Sequence, residues 1–381
     1  MSWREFLSDE ADLLLYGCDV AGTARGRELL DKLQRLAGAD IAASDDPTGS
    51  TRQGGGWVLE YESGPLTTSL AISESFQRNW SQLLATNLVT TTNDSGVGSF
   101  RQAILDANTN AGADTINFNI GVGPQTITPL SALPTITGAV TIDATTQPGF
   151  LGVPLIQLNG TSAGAASNGL RISGGSSKVR GMVINRFGQS GILLDTAGGN
   201  TITGNYIGRS ATGTLAIGNN GDGIMVSGAD NNTIGGTIAS AGNTIANNPG
   251  NGVTVDATST GDLIEGNSIF SNGGLGIDLS DNGVTLNDAG DGDSGGNDQK
   301  NFPVITSATT TGTQLTVSGT YNSLAVARTY RIEFFANTTA DPSGYGEGET
   351  YLGFTNVTTN SAGNAAFSAT ISASITGGGL G

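Results

Sequence analysis

Asp195 and Asp256 are the residues of this 381-residue chain best spaced for acid–base chemistry. Each stands fifth from the glycine that opens a short apolar phrase, Gly191-Ile-Leu-Leu-Asp195 and Gly252-Val-Thr-Val-Asp256. One further phrase, Gly223-Ile-Met-Val226, lies between them. If each phrase is one turn of a coil, the carboxylates share a column about 9.6 Å apart, twice the strand spacing. That is the upper edge of the separation used by inverting glycosidases. The same column reads Ser173, Ser227 and Ser280 at the other phrases, and Ser or Asp at a strand end also serves turn geometry. A carboxylate pair and a structural column therefore both remain open. Asp222 and Asp278 fall off this column. Arg186 and Arg209 are the nearest bases for lyase chemistry, and no signature surrounds either.

Two other places carry chemistry-bearing residues. Asn287-Asp-Ala-Gly-Asp291-Gly-Asp293-Ser-Gly-Gly-Asn297-Asp298 packs acids between glycines. Hard cations take about six to eight oxygens from such flexible loops, so Asp288, Asp291, Asp293 and Asp298 form a candidate calcium site. The spacing is not that of an EF-hand, and a solvated Asp/Gly turn explains the same residues. Cys18 follows the apolar run Asp12-Leu-Leu-Leu-Tyr-Gly17, ahead of a glycine turn and a helix. An α/β fold places a nucleophile there. The chain contains no histidine, which removes Ser-His-Asp and Cys-His catalysis and histidine metal sites. A small apolar side chain in a strand is the plain alternative for Cys18.

Composition narrows the partners. A formal charge of −17 and a pI near 4.2 argue against nucleic acid and anionic membrane, both of which need a basic face. No run is long enough to span a bilayer, and Leu13-Leu-Leu15 is too short for a signal peptide. One cysteine leaves the redox compartment open.

The elements that must position these residues are written as a repeat. Gly169-Leu-Arg-Ile172, Gly191-Ile-Leu-Leu194, Gly223-Ile-Met-Val226, Gly252-Val-Thr-Val255 and Gly276-Ile-Asp-Leu279 all read Gly, apolar, variable, apolar. A second phrase, Asn200-Thr-Ile202-Thr-Gly204-Asn205-Tyr206-Ile207, returns at Asn243-Thr-Ile245 and at Asp262-Leu-Ile264-Glu-Gly266-Asn267-Ser-Ile269. Starts lie roughly 22 to 32 residues apart, within the range of solenoids. Period-two alternation over three to five residues, broken by Gly or Asn, predicts short strands rather than helices. Such strands coil into a parallel β-helix, mainly β, with Ile and Val stacked inward. Gly and Asn turn its corners, and Asn can stack along its axis.

The flanks read differently. Residues 1–62 give a partial α/β unit, with Arg27 to Leu36 as a helix bearing Leu29, Leu30, Leu33 and Leu36 on one face. Residues 63–86 read as a linker with one helical turn around Glu74 to Leu83. Residues 87–300 are the capped β-helix. Ser99 as N-cap with Gln102 at N3 predicts a capping box, and Phe100, Ala103, Ile104 and Ala107 form one apolar stripe. A helix there would cover the open end of the coil. Residues 301–381 show alternating strands of an immunoglobulin-like sandwich type, cut short at its last strand. The loop Asp341 to Glu349 carries Tyr345 as a candidate ligand contact.

Leu15-Tyr-Gly-Cys-Asp-Val-Ala21, Leu36-Ala-Gly-Ala-Asp-Ile-Ala-Ala-Ser-Asp-Asp-Pro-Thr-Gly49 and Gly55-Gly-Trp57-Val-Leu-Glu-Tyr61 resemble the C-terminal half of a domain of unknown function. That domain opens very large bacterial surface proteins and is similar to caspase-like and CHAT peptidases. The resemblance puts Cys18 at the nucleophile position, without the His-Gly strand that would partner it. Asn93-Asp-Ser-Gly-Val-Gly-Ser-Phe-Arg-Gln-Ala-Ile104 resembles the S-L-R-x-A-I cap of right-handed parallel β-helix domains in bacterial surface and secreted proteins. Ile142 to Gly149, Tyr206 to Gly213 and the stretch Gly344-Tyr-Gly-Glu-Gly-Glu349 fit the same family.

The expectation is a non-catalytic, adhesin-like segment of a large bacterial secreted or cell-surface protein, extending beyond both ends of this sequence. Its β-helix would act as a stalk or glycan-contacting surface. Partners would be a glycan or another surface protein, the segment would be monomeric, and calcium is the one cofactor suggested. A carbohydrate-active β-helix enzyme and a cysteine-peptidase remnant are the alternatives.

Overall fold

The computed structural model describes residues 7, 11–17, 20–46, 48–49, 56–68, 72–74, 77, 87–110, 112–213, 215–238, 240–341 and 343–372. The chain divides into two compact units, Met1–Asn87 with Thr109–Ala111, and Leu88–Asn108 with Gly112–Gly381.

In the first unit Asp12–Leu15 and Asp40–Ala43 pair in parallel, and Tyr61–Glu62 adds antiparallel to the second strand. The helix Ala24–Ala37 crosses between the parallel strands, capped by the Thr23 hydroxyl and stopped by Gly38 at φ 70°. This is the expected βαβ unit. The four-leucine face is only half used: Leu30 is fully buried and Leu33 partly, while Leu29 and Leu36 are exposed. Cys18 lies outside the described residues, as does most of the helical turn expected around Glu74 to Leu83.

The second unit holds a three-faced coil and a C-terminal antiparallel module. One face runs from Asp114–Phe118 through Val140–Asp143, Lys178–Arg180, Thr201–Thr203 and Thr233–Gly235 to Leu263–Glu265. The next runs from Gln125–Ile127 through Ile156–Asn159, Met182–Asn185, Tyr206–Ile207 and Thr244–Ala246 to Ser268–Phe270. The third joins Leu170–Ile172, Ile192–Asp195, Ile224–Ser227, Val253–Val255 and Ile277–Leu279, the five Gly-led phrases in order. All these pairings are parallel, and like lies on like. Ile116, Ile142, Val179, Ile202, Ile234 and Ile264 form one column. Ile127, Leu158, Ile184, Ile207, Ile245 and Ile269 form another. These columns make one continuous hydrophobic core.

One repeat sits in a different place from its expected one. Asn243-Thr-Ile245 stacks on Asn205-Tyr-Ile207, not on Asn200-Thr-Ile202, whose next turn is Asn232-Thr-Ile234. Two faces begin with the same Asn-polar-Ile wording, so the wording alone does not say which face a copy joins.

The helix Phe100–Thr109 covers the first turn with Phe100, Ala103, Ile104 and Ala107 buried, the expected stripe. Ser99 Oγ accepts from the Gln102 N–H at 3.2 Å. The reciprocal half of the box is absent: Ser99 N–H donates to the Gly96 carbonyl, and the Gln102 amide donates to Asp106.

The C-terminal module has Val304–Thr310, Gln314–Asn322 and Asn364–Ser372 in one antiparallel sheet, and Thr329–Ala336 with Thr350–Thr358 in a hairpin. They enclose one core that includes Leu315, Ile332, Phe334 and Phe367.

Candidate functional site

The coil carries a polar spine inside its apolar core. Asn248 Oδ1 accepts from the backbone and side-chain amides of Asn219, both at 3.1 Å. Asn272 does the same for Asn248, at 3.1 and 3.0 Å. Asn205, Asn243 and Asn267 form a second ladder, and Asn200, Asn232 and Asp262 a third. All are buried. Each ladder side chain satisfies the backbone donor of the turn below, which an apolar corner would leave without a partner.

Two ladders are ended by residues from far along the chain. Glu347 Oε1 accepts the two Asn272 donors at 3.1 and 3.0 Å. Gly348 extends the sheet, its carbonyl accepting from the Ile269 N–H at 2.8 Å. The loop Asp341 to Glu349 is thus the lid of the coil. Its Tyr345, the candidate ligand contact, packs edge to face on Phe302 at 5.8 Å. Asn297 closes the third ladder, accepting from the Asp262 N–H and donating to the Asp262 carbonyl, each at 2.8 Å.

Asp262 is the irregular rung. Where Asn200 and Asn232 donate their second side-chain atom to the Ala197 and Ala229 carbonyls, Asp262 Oδ2 is buried with no partner. Burial, with Asp230 and Asp256 nearby, raises the Asp262 carboxyl above its ordinary range against the Asn232 hydrogen bonds. A raised native value favours folding while the group is protonated, and that contribution is lost as pH climbs through it. Asp262→Asn should therefore stabilise the protein at neutral pH by about 1–3 kcal/mol, the cost of an unsatisfied buried polar group. The gain should vanish below the ordinary aspartate range. Thermal midpoints of both proteins at neutral and acidic pH measure it, and equal midpoints at neutral pH would refute it.

Asp195 and Asp256 do share a column, with Ser227 between them. Both are already engaged. Arg171 grips Asp195 Oδ2 at 2.7 Å and leaves Oδ1 buried without a partner. Burial pushes the Asp256 carboxyl upward, but Ser227, Thr258 and Ser259 outweigh it and hold the pKa at about 2. A carboxyl so acidic is a poor proton donor at neutral pH. Arg209 donates to the Gly213 carbonyl and lies 5.1 Å from the Phe270 ring centroid. Arg186 sits in a left-handed turn at φ 61°.

The structure assembles a different carboxylate group. Met225, Thr254 and Asp278 are register partners on the third face. Asn251 Nδ2 donates to Thr254 Oγ1 at 3.0 Å and to Asp278 Oδ2 at 3.3 Å. Its backbone N–H donates to Asp222 Oδ1 at 2.8 Å. Burial, then the Asp281 and Asp278 charges, raise the Asp222 carboxyl, against hydrogen bonds from Asn251 and Thr254. Gly250 leaves the needed space: a Cβ there would lie 2.3 Å from Asp222 Oδ1. Counting only the fifth position of each phrase misses this group, because Asp222 precedes its glycine and Asp278 is a third position.

The acidic loop is tied largely to its own neighbours, while Asp288 Oδ1 is buried without a partner. Asp291, fully buried, accepts from Lys300 Nζ at 3.2 Å, the Asn301 N–H at 2.7 Å and Ser323 Oγ at 3.1 Å. Asp298 faces Lys300 at 3.3 Å, and Asp288 accepts from the Gly292 N–H. Asp293 has no place in that network. Among the described residues no group of three or more His, Cys, Asp or Glu side chains is placed to hold a metal ion. A lysine ammonium stands beside the carboxylates expected to take calcium.

Comparison with known proteins bears on both units. Residues 1–84 match the family model described as Domain of unknown function (DUF4347). Residues 168–297 match the one described as Right handed beta helix region. With its parallel faces, the coil is a right-handed parallel β-helix. No curated protein matches the chain. Among solved structures, the crystal structure of the Dettilon tailspike protein (gp208) matches at 12% identity, covering 76% of this chain and 92% of that one. Its TM-score is 0.16, too low to carry a structural argument.

Proposed function

We propose that this chain is a non-catalytic segment of a bacterial secreted or cell-surface protein. In this reading the β-helix is a stiff stalk whose lateral faces contact glycans. One observation carries the reading: the asparagine ladders run through successive turns, and residues of the acidic loop and the lid loop terminate two of them. Satisfied buried polar networks rigidify a core and specify one arrangement. A coil stitched internally in this way keeps its outer faces free for contact. The in-register pair Asp195 and Asp256 supports the non-catalytic side, since both carboxylates are committed to structural partners. A glycan array on the full chain, followed by turnover assays on any hit, tests it. Retention without product is expected, and depolymerisation of a retained polysaccharide would overturn it.

A carbohydrate-active enzyme is the second reading, favoured by the raised carboxyl of Asp222 beside Asp278. A carboxyl whose hold on its proton is raised, set beside a second carboxyl, is an arrangement used for the acid and base of glycoside hydrolysis. That reading expects polysaccharide cleavage lost by at least about a hundredfold in Asp222→Asn, the usual weight of general acid–base catalysis. Unchanged cleavage in that variant would remove Asp222 from the chemistry.

A further inference from the structure

The lidded end of the coil is not completely filled. Between the last turn and the C-terminal module lies a cavity of about 470 Å3, within the range of small-molecule sites. Its walls are mostly apolar, with Ile269, Leu275 and Leu279 from the coil and Phe302, Phe335 and Tyr345 from the module. The aromatic rings are fixed by neighbours, Phe302 on Tyr345 and Phe335 on Tyr351, at 5.8 and 5.6 Å between centroids.

The charged residues of the lining are Glu265, Glu333, Glu347 and Lys300. Lys300 is held between Asp291 and Asp298 at 3.2 and 3.3 Å, so its charge is already neutralised. Glu333 is paired with Arg331 at 2.9 Å, and Glu347 is engaged by Asn272. Glu265 has no ion-pair partner among the described residues. The cavity therefore combines aromatic walls, an excess of carboxylate and no available cation. Ring faces and a carboxylate both attract an ammonium, and the aliphatic wall rewards an apolar body. An anion would meet Glu265 and Glu347, neither ion-paired among the described residues.

We infer that this cavity binds a small, soluble quaternary ammonium compound bearing a short apolar chain. Calorimetric titration of the full chain with hexyltrimethylammonium, hexanesulfonate and hexanol tests the assignment. Saturable one-to-one binding of the ammonium alone is expected. Glu265→Gln should weaken it about tenfold, the effect of losing one partly screened carboxylate–cation attraction. Phe335→Ala, checked by its unfolding curve, should weaken it too. Glu265→Gln keeps the test decisive if the phenylalanine variant does not fold. Equal binding of all three probes would show an unselective apolar void and overturn the proposal. So would no ammonium binding at millimolar concentration. Binding to phosphatidylcholine vesicles without binding of the free probe would overturn the assignment to a soluble ligand.

Discussion

Replacing Asn248 by alanine should cost about 2–6 kcal/mol of folding stability, because two buried donors lose their acceptor at roughly 1–3 kcal/mol each. Asn248 is the middle rung of its ladder and fully buried. Its Oδ1 receives both Asn219 amides, and its Nδ2 donates to Asn272 Oδ1 at 3.0 Å and to the Ala246 carbonyl at 3.3 Å. Asn248→Asp separates the two roles. The carboxylate still accepts from Asn219 but no longer donates to Asn272, so it should fall between wild type and alanine. Urea unfolding of the three proteins measures the series. An alanine variant within about 0.5 kcal/mol of wild type, the scatter of an ordinary surface substitution, would show that the ladders contribute little.

Phe100→Ala should destabilise the protein by about 3–5 kcal/mol, the usual loss for a buried phenylalanine. Phe100 is fully buried at the first turn, 5.5 Å from the Phe118 ring between centroids. It anchors the helix that covers the open end, and Arg101 pins the same helix through Asp94 at 2.8 Å and the Ser131 and Ala132 carbonyls. Removing the ring should expose strand edges as well as lower the midpoint, so association at rising concentration should accompany the lost stability. Light scattering beside thermal denaturation reads both. A destabilised protein that stays monodisperse would show that the helix stabilises without guarding the end.

Much of this architecture was legible in local wording. The five Gly-led phrases form one face in order. Period-two alternation sets which side chains face inward, and the turn residues set where each strand stops. Neither depends on distant contacts. Leu29 and Leu36 show the limit: their spacing marks one helical face, but only half of that face meets a neighbour. The exchange of Asn243 between faces shows another, since identical wording opens two kinds of strand.

The coil, its capping helix and the stacking of isoleucine on isoleucine follow from local wording, because side-chain alternation and turn chemistry act over a few residues. The fate of the polar groups emerged with the closed fold. Asn272 meets Glu347 across 75 positions, and Asp262 meets Asn297 across 35. Asp222 and Asp278 come into one group because a turn of the coil returns the chain beside itself. The physical reason is that a hydrogen bond or a shifted carboxyl depends on which atoms lie within a few ångströms, and loop lengths between turns set that only once the chain has closed.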